Sequence, residues 1–305
     1  MSDPTASGGL DRRMFLKAAA LAAGAEVVAH PAPAASQPTA TPASALIDVN
    51  VSLSRWPCRR LPYDETSELV ARLRRGGVAQ AWAGSFDGLL HKNLAAVNGR
   101  LAEECRRRGE GILIPFGSIN PMLPDWEEDV RRCVEQHHMP GIRLHPNYHG
   151  YRLDDPAFAR LLQLAVERRL IVQLALCMED ERMMNPWLRA PAVDPTPLAK
   201  LVKQTPGLRL VLLNTRTPAS VEPLVALSGG GEVYLEIAML EGPAGVERLL
   251  QRLPAARLCF GSHAPFYCFE SAALKLKESV LSEEQLRAIC RANAARLLGP
   301  KHQTS

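Results

Sequence analysis

The run Leu208-Arg209-Leu210-Val211-Leu212-Leu213-Asn214 decides how this chain folds. It is short, almost continuously apolar, and ends on a polar residue. A half-exposed strand alternates polar and apolar side chains, whereas a parallel strand covered on both faces is apolar throughout. Runs of the same kind occupy Leu46–Leu53, Val78–Gly84, Gly111–Ile119, Gly141–His145, Leu170–Leu176, Glu232–Ala238 and Ala256–Ser262, eight in all. Between them, apolar residues recur at spacings of three and four, as in Leu69 and Leu73 or Leu161, Leu162 and Ala165. That period predicts amphipathic helices at 64–76, 93–109, 124–138, 156–169, 195–205, 218–228, 243–253, 270–280 and 282–298. Eight strand–helix units across 46–299 suit the ~250 residues of a barrel. The expected fold class is therefore α/β, a single (β/α)8 TIM-like barrel. An open doubly wound sheet is the alternative, but no Gly-x-Gly-x-x-Gly follows the first strand. Gly229-Gly230-Gly231 reads as a helix stop and turn.

Composition narrows the function classes. Of 305 residues, 47% are hydrophobic and 22% charged, an ordinary globular balance. Lys plus Arg is 36 against 32 Asp plus Glu, and this surplus of +4 is spread along the chain. It is no nucleic-acid footprint. No uninterrupted apolar run is long enough for a membrane span. The seven cysteines include no Cys-x-x-Cys pair, so neither a zinc ribbon nor a thioredoxin-type site is indicated.

The N-terminus reads as an address. Arg12-Arg13-Met14-Phe15-Leu16-Lys17 precedes an alanine-rich stretch, and together they resemble a twin-arginine export signal. Ala32-Pro33-Ala34 offers small residues for cleavage. The expected organisation is a signal peptide at 1–34, a Pro/Ala-rich linker at 35–45, the barrel at 46–299 and a tail at 300–305, with a periplasmic destination.

The strand ends resemble a known family. Ile47-Asp48-Val49-Asn50-Val51-Ser52 resembles the opening strand of amidohydrolase-related (amidohydrolase-2) barrels. Met139-Pro140-Gly141-Ile142-Arg143-Leu144-His145-Pro146, with Asp154-Asp155-Pro156-Ala157-Phe158 after it, looks like the fourth strand. Phe260-Gly261-Ser262-His263-Ala264-Pro265 is similar to the eighth-strand Gly-Ser-Asp-x-Pro signature, and Asn293-Ala294-Ala295-Arg296-Leu297-Leu298-Gly299 to the closing helix. The resemblance implies hydrolases and decarboxylases whose metal is held by His-x-His on strand one, a His on each of strands five and six, and an Asp on strand eight. Here Asn50 and Ser52, Ala175, Asn214 and His263 stand at those positions. Alanine has no donor atom, and amides and hydroxyls are poor zinc ligands. The expectation is the family's fold without its metal, and no other cofactor.

Barrel enzymes react at the C-terminal strand ends, and residues two apart on a strand share a face. Taking Asn50 as inward brings Asp48 and Ser52, and His145 brings Arg143. Ala175 brings Gln173 and Cys177, and Asn214 brings Leu212, with Arg216 just beyond. The expected catalytic residues are His263 for proton transfer, oriented by Glu236 or Asp48. The expected substrate-binding residues are Asn50, Ser52, Arg143, His145, Gln173, Asn214 and Arg216, with an arginine fork on a carboxylate. The same polar groups could instead satisfy one another in a barrel core. The strand-end loops add Trp56, Tyr63, Phe86, Tyr148, Tyr151, Trp187, Phe266, Tyr267 and Phe269 beside Arg55, Arg59, Arg60, His149, Arg182 and Arg189. Such groups clasp an anionic ligand, form small loop cores, or seal a homo-oligomer interface. Met178–Asp194 is long enough for a lid. Three functions stay open: a metal-free hydrolase or lyase on a small polar or carboxylate-bearing substrate, a ligand-binding pseudoenzyme, and a metalloenzyme with ligands relocated among His145, His263, Glu236 and Cys177.

Overall fold

The computed structural model describes residues 46–216, 227 and 231–299. The export signal, the linker, most of the helix expected at 218–228, Gly229, Gly230 and the tail lie outside the described residues. Eight parallel strands form one sheet in sequence order. They are β1 (Leu46–Leu53), β2 (Val78–Ser85), β3 (Leu113–Ser118), β4 (Gly141–Leu144), β5 (Ile171–Ala175), β6 (Arg209–Leu213), β7 (Glu232–Glu236) and β8 (Leu258–Cys259). The end of β8 returns to β1: Val49 N–H donates to Phe260 O and Ser52 N–H to Ala264 O, each at 2.9 Å. The barrel expectation holds: β1 matches its apolar run, β2 extends one residue past it, and the other strands are shorter than theirs. β8 is the most reduced, because Ala255–Arg257 turns as a 3-10 helix.

Two packed layers arise from strand alternation. Val51, Leu53, Ala81, Ala83, Ile142, Leu144, Val172, Leu174, Leu210 and Leu212 face the helices and pack on Leu69, Leu73, Leu101, Leu161 and Leu162. Ile47, Val49, Trp82, Phe116, Ile171, Ala175, Val211, Leu213 and Tyr234 face the barrel interior. Trp82 and Phe116 stack there at 4.9 Å. Ala294, Leu297 and Leu298 of the closing helix join this inner set and seal the N-terminal end of the barrel. A capping box at Ser282 and Gln285 starts the helical run that leads there. The run then passes through a π-turn at Ala288–Ala292, and Ile289 O accepts from Phe260 N–H at 2.9 Å. Asn293 Nδ2 donates to Ala255 O (2.7 Å) and Leu258 O (2.6 Å). The sequence that resembles a family closing helix is thus the clamp on the start of β8.

The layers correct two orientations. Leu212 faces the helices, and Leu213 is the inward residue of β6. Asn214 also reaches inward, because its backbone is left-handed (φ 62) and alternation breaks there. On β1 the register shifts between Asp48 and Val51. Ile47 and Val49 therefore point inward below the shift, while Val51 and Leu53 point outward above it. Asp48 does not share the face of Asn50 and Ser52.

Candidate active site at the C-terminal mouth

The inner polar residues form one buried network. Arg143 lies across the barrel: Nε donates to Gln173 Oε1 (2.8 Å), Nη1 to Val51 O (2.8 Å) and Ser52 Oγ (3.2 Å), and Nη2 to Trp82 O (3.0 Å). Gln173 Nε2 donates to Val49 O at 2.6 Å. Gly84 makes room for this guanidinium, since a Cβ there would stand 2.8 Å from Arg143 Cδ and Nη1. A fully buried cation survives only with such a set of acceptors. Desolvation pushes the guanidinium down to about 10, so it stays charged at neutral pH. The fork expected to grip a substrate carboxylate is spent on backbone carbonyls, and Gln173 is spent with it. Both are structural groups of this barrel.

A second branch holds the strand ends. Asn50 Nδ2 donates to Asn214 Oδ1 (2.8 Å), and Asn214 Nδ2 donates to Cys177 O (2.6 Å). Glu236 accepts from the backbone N–H of Asn214 and from that of Ala238 (2.6 Å). Gly261 permits this approach: a Cβ there would lie 2.5 Å from Glu236 Oε2 and 3.1 Å from Asn50 Cβ. Asp48 Oδ1 accepts from the N–H groups of Asn50 and Ser262, each at 3.0 Å, and bridges β1 to the end of β8. Burial raises both carboxyls, Asp48 to about 7.

His263 sits above this network. Its backbone is left-handed (φ 56), and its ring Nε2 lies 3.0 Å from Met178 O. A carbonyl can only accept, so Nε2 carries the proton and Nδ1 is left as a bare lone pair. That Nδ1 is buried without a partner. Desolvation lowers the ring to about 4, which keeps it neutral at physiological pH. The group that orients it is the Met178 carbonyl, and neither Asp48 nor Glu236 bonds the ring, contrary to expectation. His145 Nδ1 is likewise buried without a partner, and burial holds that ring well below the ordinary histidine value.

An apolar cap covers the mouth. Trp56, Leu61, Phe86, Leu89, Met178 and Phe266 pack together, with Cys58, Tyr148 and Tyr267 against them. Phe266 stacks on His263 (4.9 Å, 16°) and takes the edge of Trp56 (5.0 Å). Trp56 Nε1 and Tyr148 Oη are buried here without partners. The other loop aromatics go elsewhere: Tyr151 and Phe269 join the helix-facing layer, and Trp187 is 95% exposed. Arg216 is not brought into the network. It is ion-paired to Asp180 (2.9 Å) and Glu241 (3.0 Å) at the rim.

The sequence model of the amidohydrolase-2 family, described as amidohydrolase, matches residues 57–299. The chain belongs to the amidohydrolase family. Solved structures similar to this chain include 5-carboxyvanillate decarboxylase from Sphingomonas paucimobilis, at 13% identity and TM-score 0.66, covering 83% of this chain and 98% of that one. The 2,6-dihydroxybenzoate decarboxylase from Rhizobium aligns at 14% identity and TM-score 0.60, covering 83% and 98%. A 5-carboxyvanillate decarboxylase from Novosphingobium aromaticivorans, solved with bound manganese, aligns at 12% identity and TM-score 0.62, covering 84% and 97%. At these identities the likeness is one of fold. No curated protein matches the chain.

At the positions where the resemblance implies metal ligands, the chain carries amide, hydroxyl, methyl and imidazole groups. Asn50 and Asn214 are bonded to each other, Ser52 Oγ accepts from a guanidinium, and Ala175 offers a methyl group. Among the described residues no group of three or more His, Cys, Asp or Glu side chains is arranged to hold a metal. Of the relocated set, His145 and His263 keep bare Nδ1 atoms, but the other two members are engaged. Glu236 is taken by two backbone N–H groups, and Cys177 Sγ faces Asn214 O at 3.2 Å. Sequence reasoning missed the Met178 carbonyl as the orienting group. It named Arg59 without seeing its partner, Glu179.

Proposed function

We propose that this protein is a hydrolase or lyase acting on a small carboxylate-bearing substrate beneath the aromatic cap, with the neutral His263 imidazole as the proton-accepting group and no resident metal. The observation that carries the reading is the bare, buried Nδ1 of His263, with its other nitrogen fixed on Met178 O. A base needs a lone pair within reach of substrate and a fixed tautomer. The unpartnered donors Trp56 Nε1 and Tyr148 Oη suit acceptor oxygens on a ligand. Two structural neighbours are named as decarboxylases of 5-carboxyvanillate and 2,6-dihydroxybenzoate, which supports a carboxylate-bearing substrate. Periplasmic action after twin-arginine export is part of the proposal and rests on Arg12-Arg13 and the alanine-rich stretch beyond Lys17.

The test is turnover of a panel of lactones, amides and carboxylic acids by the purified protein. His263→Asn should lower kcat about a hundredfold or more while leaving the fold intact. Dialysis against chelator should leave the wild-type rate unchanged. Equal turnover by wild type and His263→Asn sinks the proposal. Tight binding with no product in either protein favours the alternative, a ligand-binding barrel, which the largely self-bonded network below His263 also suits.

A further inference from the structure

With Arg143 consumed by carbonyls, the proposed substrate carboxylate needs another cation. At the rim, Arg216 already holds two carboxylates, Arg55 is paired with Glu65, and Arg60 with Asp64. Arg59 differs from these. Its guanidinium lies 4.8 Å over the Phe266 ring, and the same ring stacks on His263 at 4.9 Å. Its carboxylate partner is Glu179, at 3.0 Å. The pair is asymmetric: the arginine side chain is 45% exposed, while the glutamate is only 4% exposed. Glu179 directly follows Met178, whose carbonyl fixes His263, and Cys177, whose carbonyl holds Asn214. One short segment therefore anchors both the base and the arginine.

We infer that Arg59 is the residue that reads the substrate carboxylate, and that Glu179 is an internal carboxylate occupying that place until substrate displaces it. This rests on the proposed carboxylate-substrate reading. A guanidinium takes a carboxylate in either case, so exchange keeps Arg59 paired, and the released Glu179 side chain must turn out to solvent, because a buried carboxylate left alone is costly. Phe266 contacts both Arg59 and His263, so the exchange places the substrate beside the ring that stacks on the base. The closed pair sets specificity by competition: only a ligand carrying its own carboxylate can replace Glu179.

The test uses the full-length protein with benzoate and its neutral isostere benzamide as probes, reading binding by isothermal titration calorimetry. Wild type should bind benzoate and far more weakly benzamide. Glu179→Gln removes the competitor, so the benzoate dissociation constant should fall about tenfold with benzamide unchanged. Arg59→Met should abolish the preference, and Arg59→Lys should restore part of it. Melting temperatures identify any variant that fails to fold. A preference that survives Arg59→Met, an unchanged benzoate affinity in Glu179→Gln, or no benzoate binding at all overturns the inference. The functional proposal fails separately: wild-type turnover by His263→Asn, with the carboxylate preference intact, removes the base and leaves the grip.

Discussion

The lower and upper halves of the barrel mouth are built on opposite principles. Below, Arg143, Gln173, Asn50, Asn214, Asp48 and Glu236 bond to one another and to strand-end backbone, leaving Asp48 Oδ2 and Trp82 Nε1 as exceptions. Above, His263 Nδ1, His145 Nδ1, Trp56 Nε1 and Tyr148 Oη are buried with nothing to bond. A satisfied buried network rigidifies, whereas an unsatisfied buried atom carries a standing cost that a ligand or ordered water removes. The lower half is a brace and, on the proposed function, the upper half a receptor, so substitutions in the two should fail differently.

The largest effect belongs to the brace. Arg143→Met leaves Val51 O, Trp82 O and Gln173 Oε1 bare in the core, and should cost about 3–5 kcal/mol in urea unfolding. A loss below about 1 kcal/mol would mean that the guanidinium is not holding the strands. Gly261→Ala comes next: its Cβ would press on Glu236 and Asn50, and overpacking of this kind costs about 1–3 kcal/mol. Full stability in Gly261→Ala would show that the end of β8 yields freely.

The two halves also separate by pH. The Asp48 carboxyl is raised to about 7 in the folded protein, so folding takes up a proton between about 4 and 7. Its burial therefore costs more stability as pH rises through that window. Asp48→Asn should gain on wild type from pH 4 to 7 and then level off, as read by urea midpoints. His263 is lowered to about 4, so below about 6.5 the unfolded chain binds a proton that the folded chain refuses. Wild type should lose stability relative to His263→Asn as pH falls from 6.5 to 4. Slopes of the reverse sign would contradict both assignments. The smallest effect is expected at Trp187, exposed beyond both halves, where Trp187→Ala should change stability by less than about 0.5 kcal/mol.

The eight strands were legible because parallel strands covered on both faces are apolar runs, and the run at 208–214 needed no partner to be read. The brace was legible in residue type alone. Its occupations were not: Arg143 and Gln173 looked like ligand groups until the carbonyls of Val49, Val51 and Trp82 were placed around them. The inward turn of Asn214 and the displacement of Asp48 come from a left-handed residue and a register shift, neither of which alternation can express. The pairing of Arg59 with Glu179 joins loops 120 residues apart, and composition marked both loops without linking them.

The most direct measurement is nitrogen NMR of the imidazoles in histidine-labelled protein, with His263→Asn to assign the signal. The expected result is a neutral His263 ring with its proton on Nε2 and an unprotonated Nδ1 at every pH from 8 down to about 5, with titration only near 4. A ring protonated on Nδ1, or one titrating at the ordinary histidine value, would contradict the assignment of His263 as a poised base.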